Sequence, residues 1–235
     1  MKDSGTLTGW FILSIVALSL QPPPAYARSA AEPVNAEFAL RWNPQEGGPG
    51  SAEEVARLLG LAMPLPEAYY VRYFDLPRPS TAPAQASVIL RERQKVGGKT
   101  QIRLKYRLEQ PITGSWTCPP GHGFEQESEV DISWLADNKL KRTYSYSCTV
   151  KARQPPQALA ATPKSCYSGM TRHTADDLKI EEWQLPGGRV QLEVSHSGTN
   201  TDDELRRFQE IARKLLKQGV QPADRSKTEL GSECP

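Results

Sequence analysis

The sequence predicts a mostly β protein of the α+β class: a single antiparallel closed barrel of about eight strands, with two or so peripheral helices. Segments in which apolar and polar residues alternate recur along the chain, as in strands with one buried face. Turns rich in glycine and proline separate these segments. The charges on their polar faces are segregated by sign from strand to strand, and a closed sheet would gather those faces into one lumen.

The composition limits the classes of protein to which the chain can belong. It has 29 Lys and Arg residues against 27 Asp and Glu, and 38% of its 235 residues are hydrophobic. These values are ordinary for a globular domain, and they exclude a disordered polyelectrolyte, a collagen-like chain and a multi-span membrane protein. The net charge of +2 also argues against a general nucleic-acid binder, so no nucleic-acid partner is expected.

The first 27 residues are predicted to be a signal peptide. An apolar run from Trp10 to Leu20 precedes a proline-rich stretch that ends in the small-x-small sequence Ala25-Tyr26-Ala27. The run is shorter than the ~20 apolar residues that a bilayer span requires. We therefore expect export to the periplasm or the exterior with cleavage after Ala27, an uncleaved anchor being the alternative. The predicted organisation is a signal peptide at 1–27, a flexible lead-in at 28–36 and one domain at 37–235, with no membrane span in the mature form.

Four cysteines lie in the mature part, and an even number in an exported chain predicts two disulfides. None of the four has metal-ligand spacing such as C-x-x-C and the histidines are scattered, so no zinc site is expected. Three pairings are possible, and the sequence does not choose among them. The four are Cys118, Cys148, Cys166 and Cys234.

Alternation predicts eight strands, and capping signals predict two helices. Ser51 and Glu54 form a capping box that begins a short helix. Thr201 is a good N-cap for a longer helix, which has acidic residues in its first turn and ends at Gly219. The predicted strands cover residues 37–42, 69–75, 86–95, 99–109, 124–134, 141–153, 177–185 and 189–196.

The polar faces of the central strands carry the candidate site. Five cations lie on two consecutive strands, three carboxylates lie on the next strand, and two more cations follow at the end of the one after it. In a lumen these cations repel one another unless a polyanion or facing carboxylates offset them. The alternative is a solvated outer face with cross-strand ion pairs, each worth only ~0.2–1 kcal/mol. The residues are Arg91, Arg93, Arg103, Lys105 and Arg107, then Glu127, Glu129 and Asp131, then Lys151 and Arg153.

Six short motifs occur in an order that the chain shares with a known family. They are Glu37–Arg41, Tyr73–Pro77, Leu90–Arg93, Ile102–Lys105, Leu192–Ser195 and Ser226–Lys227. In this order they resemble the motifs of the CYTH superfamily, the triphosphate tunnel metalloenzymes, over residues 37–230. The family includes adenylate cyclases of one class, thiamine triphosphatases and inorganic triphosphatases.

The resemblance implies roles for particular residues. Basic side chains would clamp phosphates, and carboxylates would hold Mg²⁺ or Mn²⁺ against them. The second glutamate of each family pair is replaced, by Ala39 and by Ser195, so phosphate binding is better supported than cleavage. No catalytic residue is assigned. The implied phosphate ligands are Arg41, Arg91, Arg93, Arg103, Lys105, Arg107, Lys151, Arg153 and Lys227. The implied metal ligands are Glu37, Glu127, Glu129, Asp131 and Glu193.

Three functions follow from these observations. The first is an exported barrel that binds a phosphorylated polyanion, polyphosphate or a triphosphate, with weakened or lost catalysis. The second is a divalent-metal-dependent phosphohydrolase. The third is a structural or interaction barrel of the cell envelope, in which the charges of the lumen pair internally.

Overall fold

The computed structural model describes residues 33–120 and 123–235. The predicted signal peptide, and the lead-in as far as residue 32, lie outside the described residues. The strands are β1 Asn35–Trp42, β2 Glu67–Asp75, β3 Ser87–Lys95, β4 Thr100–Leu108, β5 Glu125–Trp134, β6 Leu140–Val150, β7 Thr162–Pro163, β8 Ser168–Ala175, β9 Leu178–Leu185 and β10 Arg189–Thr199. The helices are α1 Ala52–Leu59, α2 Asp202–Leu216 and α3 Lys227–Gly231.

Nine strands form a closed ring, which confirms the predicted barrel. The order is β3-β4-β6-β5-β1-β10-β9-β8-β2, and pairing of β2 with β3 closes it. The two-residue strand β7 pairs only with β2, as an addition to the ring. The predicted count of about eight is therefore one too low, because β8 lies in a segment without clear alternation.

One pair of neighbours in the ring is parallel, which corrects the prediction of a wholly antiparallel barrel. Strand β1 runs antiparallel to β10 and parallel to β5, with Glu37 opposite Asp131. The reason is geometric, because an odd number of strands cannot close into a ring with every neighbour antiparallel. The parallel pair brings the opening strand of the barrel beside the acidic strand β5.

The main hydrophobic core lies between the outer face of the barrel and the segments that cover it. Phe38 of β1 packs against Phe208 of α2, with ring centroids 6.0 Å apart, and both side chains are buried. Both predicted N-caps are present, since Ser51 accepts from the amide of Glu54 and Thr201 from that of Glu204. The predicted capping box at Ser51 is not completed, because the Glu54 carboxylate accepts from the amide of Gly50 and not from that of Ser51. Because apolar residues of the strands face this outer core, the alternate polar residues face the lumen.

Both disulfides are formed, and their pairing answers the question that the sequence left open. Cys118 is bonded to Cys148, which is fully buried on β6, and the bond holds the chain around Cys118 against the outer core. Cys166, just before β8, is bonded to Cys234 near the C-terminus. In the described part of the chain, no helix is both long enough and apolar enough to cross a bilayer.

The last ten residues contain a helix that the sequence analysis did not predict. Ser226 and Glu229 form a capping box around the start of this helix, α3. Gly231, at the end of α3, is buried against Tyr73 of β2. The C-terminus is therefore part of the barrel wall and not an extension from it.

We expect Leu104→Ala to lower the free energy of unfolding by about 2–5 kcal/mol, because the side chain on β4 is fully buried and the truncation leaves a cavity. Leu58→Ala on α1 is the matched control, since its side chain is 39% exposed. Urea denaturation of both variants measures the difference. A loss at Leu58 as large as that at Leu104 would show that the outer core is not where the structure places it.

Candidate functional site

The inward faces of the strands surround a cavity of about 590 Å³ inside the barrel. This volume suits a small-molecule ligand. Twelve basic and four acidic residues line the cavity, so its charge is strongly unbalanced although the whole chain is nearly neutral. The basic residues are Arg41, Arg91, Arg93, Lys95, Lys99, Arg103, Lys105, Arg107, Lys151, Arg172, Lys179 and Lys227, and the acidic ones are Glu37, Glu127, Glu129 and Glu181.

Arg91 and Arg93 of β3 are the cations with the least compensation. Neither has an ion-pair partner among the described residues, and the buried Nε atom of Arg93 has no hydrogen-bond partner. The register places Arg91 directly opposite Arg103 of β4, where like charges repel. Burial, with the neighbouring charge of Arg91, lowers the pKa of Arg93 to about 9. Burial also lowers the pKa of Arg91, and Arg103 adds to the shift.

Arg93 is held in place by an aromatic ring instead of a carboxylate. The ring of Tyr69 lies 5.6 Å from the guanidinium of Arg93 and 5.5 Å from that of Arg172. Both are cation–π distances, so one ring supports two cations that face the cavity. The Tyr69 hydroxyl donates a 2.5 Å hydrogen bond to Glu67, which also pairs with Lys95 at the cavity wall.

A first ion-pair network joins β4 to β5. The Lys105 ammonium lies 3.0 Å from Glu129 and 3.1 Å from Asp131, and Arg107 lies 3.4 Å from Asp131. Although burial opposes it, the charges of Lys105 and Arg107 hold the pKa of Asp131 well below its usual range, and Ser145 adds a 2.6 Å hydrogen bond. Burial raises the pKa of Glu129 against the opposing effect of Lys105.

Three carboxylates of this region meet closely enough to hold a cation. One oxygen each of Glu37, Glu129 and Asp131 lies within 4.8 Å of the other two. Oxygen ligands of this kind suit Mg²⁺ or Mn²⁺. The parallel pairing of β1 with β5 creates the group, and Lys105 already contacts two of its three members.

A second ion-pair network crosses β1, β10, β9 and β8. The register aligns Arg41, Glu193, Glu181 and Arg172 in one row. Arg41 pairs with Glu193, and Arg172 pairs with Glu181. The ammonium of Lys227, from α3, lies 2.7 Å from Glu181 and 2.8 Å from Glu193. Both glutamates are 1% exposed, so these cations supply the charge compensation that water would otherwise give.

The structure brings most of the predicted site residues together. Eight of the nine predicted cations line the cavity, and the exception is Arg153, which lies exposed on the bend that follows β6. Glu127 lines the cavity and lies 3.4 Å from Arg103. Glu193 joins the second network, apart from the group of Glu37, Glu129 and Asp131.

Five charged lining residues were not predicted. Lys179 and Glu181 share one face of β9, and the alternation of that strand was a signal that could have found them. Lys95 and Lys99 flank the turn between β3 and β4, where side-chain direction cannot be inferred from alternation. Arg172 lies on β8, a segment in which apolar and polar residues do not alternate clearly.

A second cavity, of about 650 Å³, lies against the first one. Arg41, Arg107 and Lys227 line both cavities, so these three residues stand between them. The segment 223–232 supplies much of the wall of the second cavity.

Comparison with known proteins gives a likeness in structure alone. No family model and no curated protein matches the chain. A conserved hypothetical protein from Pyrococcus furiosus is 14% identical with a TM-score of 0.47, covering 83% of this chain and 99% of its own. A putative adenylate cyclase from Vibrio parahaemolyticus is 10% identical with a TM-score of 0.47, covering 86% and 99%. A putative adenylyl cyclase from Hippeastrum, described as having a dominant triphosphatase activity, is 11% identical with a TM-score of 0.45, covering 82% and 92%. At these scores the likeness carries no information about the ligand of this chain.

We expect Arg93→Met to stabilise the ligand-free protein by about 1 kcal/mol or more at pH 7, because it removes a half-buried guanidinium that has no carboxylate partner among the described residues. The pKa of Arg93 is lower in the folded than in the unfolded protein, so the charged guanidinium destabilises the native fold. The stability gained in Arg93→Met is therefore full below pH 9. It declines above pH 9, where Arg93 of the native protein loses its proton. Urea denaturation at pH 7 and pH 10 measures the gain. Arg57→Met, on the exposed face of α1, is the control and should change stability by less than about 0.5 kcal/mol. Destabilisation by Arg93→Met at pH 7 would contradict the unpaired state of this guanidinium.

Proposed function

We propose that the barrel binds a phosphorylated polyanion, polyphosphate or a triphosphate, in its lumen. The observation that carries the proposal is the pair Arg91 and Arg93, which face the cavity without a carboxylate partner. A buried cation without compensation destabilises the folded protein, and a bound anion removes that penalty. Arginine is suited to phosphate because its planar donor groups can bind two oxygens at once.

The surrounding cations extend the proposed site beyond one phosphate group. Arg103 lies opposite Arg91, while Lys99 and Lys151 line the same cavity without an ion-pair partner among the described residues. Several cations converging on one cavity favour a ligand with several negative charges. Arg153 is left out of the proposed site because it lies outside the cavity. The resemblance of the Leu90–Arg93 and Ile102–Lys105 motifs to the CYTH pattern supports the same ligand class.

We propose that catalysis is weak or lost. Ala39 and Ser195, which stand where the resemblance expects glutamates, are opposite each other on β1 and β10 and are almost fully buried. Glu193, the remaining carboxylate of the late pair, is engaged by Arg41 and Lys227. On the wall formed by β1 and β10, cations of the protein itself therefore compensate the carboxylate.

Glu37, Glu129 and Asp131 are the residues that would hold Mg²⁺ or Mn²⁺. Their oxygen donors and their separation fit such an ion, although Lys105 competes for two of them. A divalent ion there would supply charge neutralisation for phosphate oxygens. This group favours a second candidate function, a metal-dependent phosphohydrolase.

We also propose that the protein acts outside the cytoplasm, in the periplasm or secreted. Both pairs of cysteines are bonded, and structural disulfides persist in oxidising compartments. The apolar run and small-x-small sequence of residues 1–27 support the same location.

We expect tripolyphosphate to bind with an affinity that falls steeply as salt concentration rises, because several cations meet one polyanion. Arg93→Glu and Arg91→Glu should each weaken binding about 100-fold or more, since each removes a cation and adds a repelling charge. Isothermal titration calorimetry measures the change. Arg57→Glu on the surface of α1 should bind like the wild type. Equal losses in all three variants would indicate a diffuse surface interaction and would refute the lumen site.

We expect phosphate release from tripolyphosphate to stay far below ordinary enzyme rates, on the order of 1 s⁻¹, with either Mg²⁺ or Mn²⁺. The reason is that Lys105 pairs with Glu129 and Asp131, two of the three carboxylates that would hold the metal. A colorimetric phosphate assay measures turnover, with Glu37→Gln as the paired variant. Turnover at or above that rate, lost in Glu37→Gln while tripolyphosphate binding persists, would establish the phosphohydrolase instead.

A further inference from the structure

The C-terminal segment, residues 223–235, lies across the barrel from β1 to β8. At its start, the amide of Ala223 donates a 2.7 Å hydrogen bond to the carbonyl of Arg41. At its end, Cys234 is bonded to Cys166. Between these two points the segment forms part of the wall of the second cavity and sends Lys227 into the lumen.

Lys227 is the one contribution of this segment to the buried charge network of the lumen. Its ammonium lies between Glu181 and Glu193, and 4.9 Å from the ring centre of Trp183. Without that ammonium the two glutamates would retain only Arg172 and Arg41 as cation partners among the described residues. The position of Lys227 therefore affects the net charge that a ligand in the lumen meets.

Apart from the buried ion pairs of Lys227, the contacts that hold the segment are a few hydrogen bonds, the packing of Leu230 and Gly231, and exposed ion pairs. Helix α3 has five residues, too few to be stable alone. Gly231 packs closely against Tyr73, and Arg189 donates a 2.9 Å hydrogen bond to the carbonyl of Leu230. Glu233 pairs with Arg189 and Arg225, but the side chains of this cluster are 37–51% exposed, and exposed pairs contribute little.

We propose that the Cys166–Cys234 disulfide is a redox latch that keeps Lys227 in the lumen and thereby sets the affinity of the site for its polyanion. With the bond formed, the segment is confined to the barrel and the ammonium stays between Glu181 and Glu193. When the bond is reduced, the segment separates from β8, and Lys227 leaves with it. This regulation rests on the proposed function, since it concerns binding at the same site.

The chemical step is a two-electron thiol–disulfide exchange. A dithiol reductant attacks one sulfur, the Cys166–Cys234 bond breaks, and both cysteines end as thiols while the reductant becomes a cyclic disulfide. The two disulfides of the chain differ in access. Cys166 and Cys234 are both partly exposed, whereas in the other bond Cys118 is partly exposed and Cys148 is fully buried. A reductant can therefore approach the latch at either cysteine, but Cys118–Cys148 only at Cys118.

Release of the segment changes the site in a definite direction. The lumen loses one positive charge, and Glu181 and Glu193 each lose a hydrogen-bonded ammonium. Both changes disfavour a bound polyanion, because one attractive charge is removed and two carboxylates are left with less compensation. We expect tripolyphosphate affinity to fall about tenfold or more, the effect of losing one charge-assisted contact.

The test uses two variants of the mature chain that separate the latch from the cation. In Cys166→Ser/Cys234→Ser the latch is absent and Lys227 is kept. In Lys227→Met the latch is kept and the cation is absent. Amide hydrogen exchange over residues 223–235 reports on the segment, and calorimetry with tripolyphosphate reports on the site. Exchange over β3 and β4 shows whether the barrel is intact.

We expect the double serine variant to exchange rapidly over 223–235, with β3 and β4 still protected, and to bind tripolyphosphate about tenfold or more weakly. Lys227→Met should lose as much affinity while its segment stays protected. Wild-type protein treated with dithiothreitol until only Cys166 and Cys234 are reduced should behave like the double serine variant. A segment that stays protected in the double serine variant would overturn the latch, and so would rapid exchange without loss of affinity.

A failure of the proposed function would give a different experimental result from a failure of the latch. Wild-type protein that binds no tripolyphosphate at low salt would overturn the polyanion site and the affinity change together. Hydrogen exchange would still decide whether the disulfide holds the segment, because that measurement needs no ligand.

Discussion

Closure of the sheet by the pairing of β2 with β3 is the constraint on which the rest of the molecule depends. In an open sheet the charged faces would meet bulk water, where their mutual repulsion is screened. In the ring they surround one cavity of about 590 Å³. Because the ring has an odd number of strands, one parallel pair is unavoidable, and that pair brings Glu37 to Glu129 and Asp131. The acidic group of the lumen is thus a consequence of strand count.

Ion pairs compensate the charges of some strands of the ring but not those of β3. The carboxylates of β5 are met by Lys105 and Arg107, and those of β9 and β10 by cations of β1, β8 and α3. Strand β3 faces Tyr73 and Val71 of β2 on one side and Arg103 and Gln101 of β4 on the other, none of which is acidic. Uncompensated arginines on β3 destabilise the folded protein. The outer core of buried aromatic and aliphatic residues supplies the stability that offsets this free-energy cost. A site maintained at the expense of stability is typical of function.

The sequence was informative wherever a local rule applied. Alternation identified the inward faces of β1, β3, β4 and β5, and with them Arg91, Arg93 and Lys105, because side-chain direction in a strand follows directly from residue number. Alternation could not predict which strands pair with each other, because the parallel neighbour of β1 lies about ninety residues away in the chain. The disulfide pairing and the contacts of Lys227 likewise depend on the closed ring, in which residues distant in sequence become neighbours.

Ala39 and Ser195 place two uncharged, almost fully buried side chains in the wall of the lumen. These residues form a cross-strand pair, and the buried hydroxyl of Ser195 has no hydrogen-bond partner. At the next inward position, two residues after Ala39 and two before Ser195, Arg41 and Glu193 form an ion pair that Lys227 extends. On this wall the carboxylate of Glu193 is compensated by Arg41 and Lys227, which are side chains of the protein itself. Because the cations of this wall are engaged in this way, Arg91 and Arg93 of β3 are left as lumen cations without an ion-pair partner among the described residues.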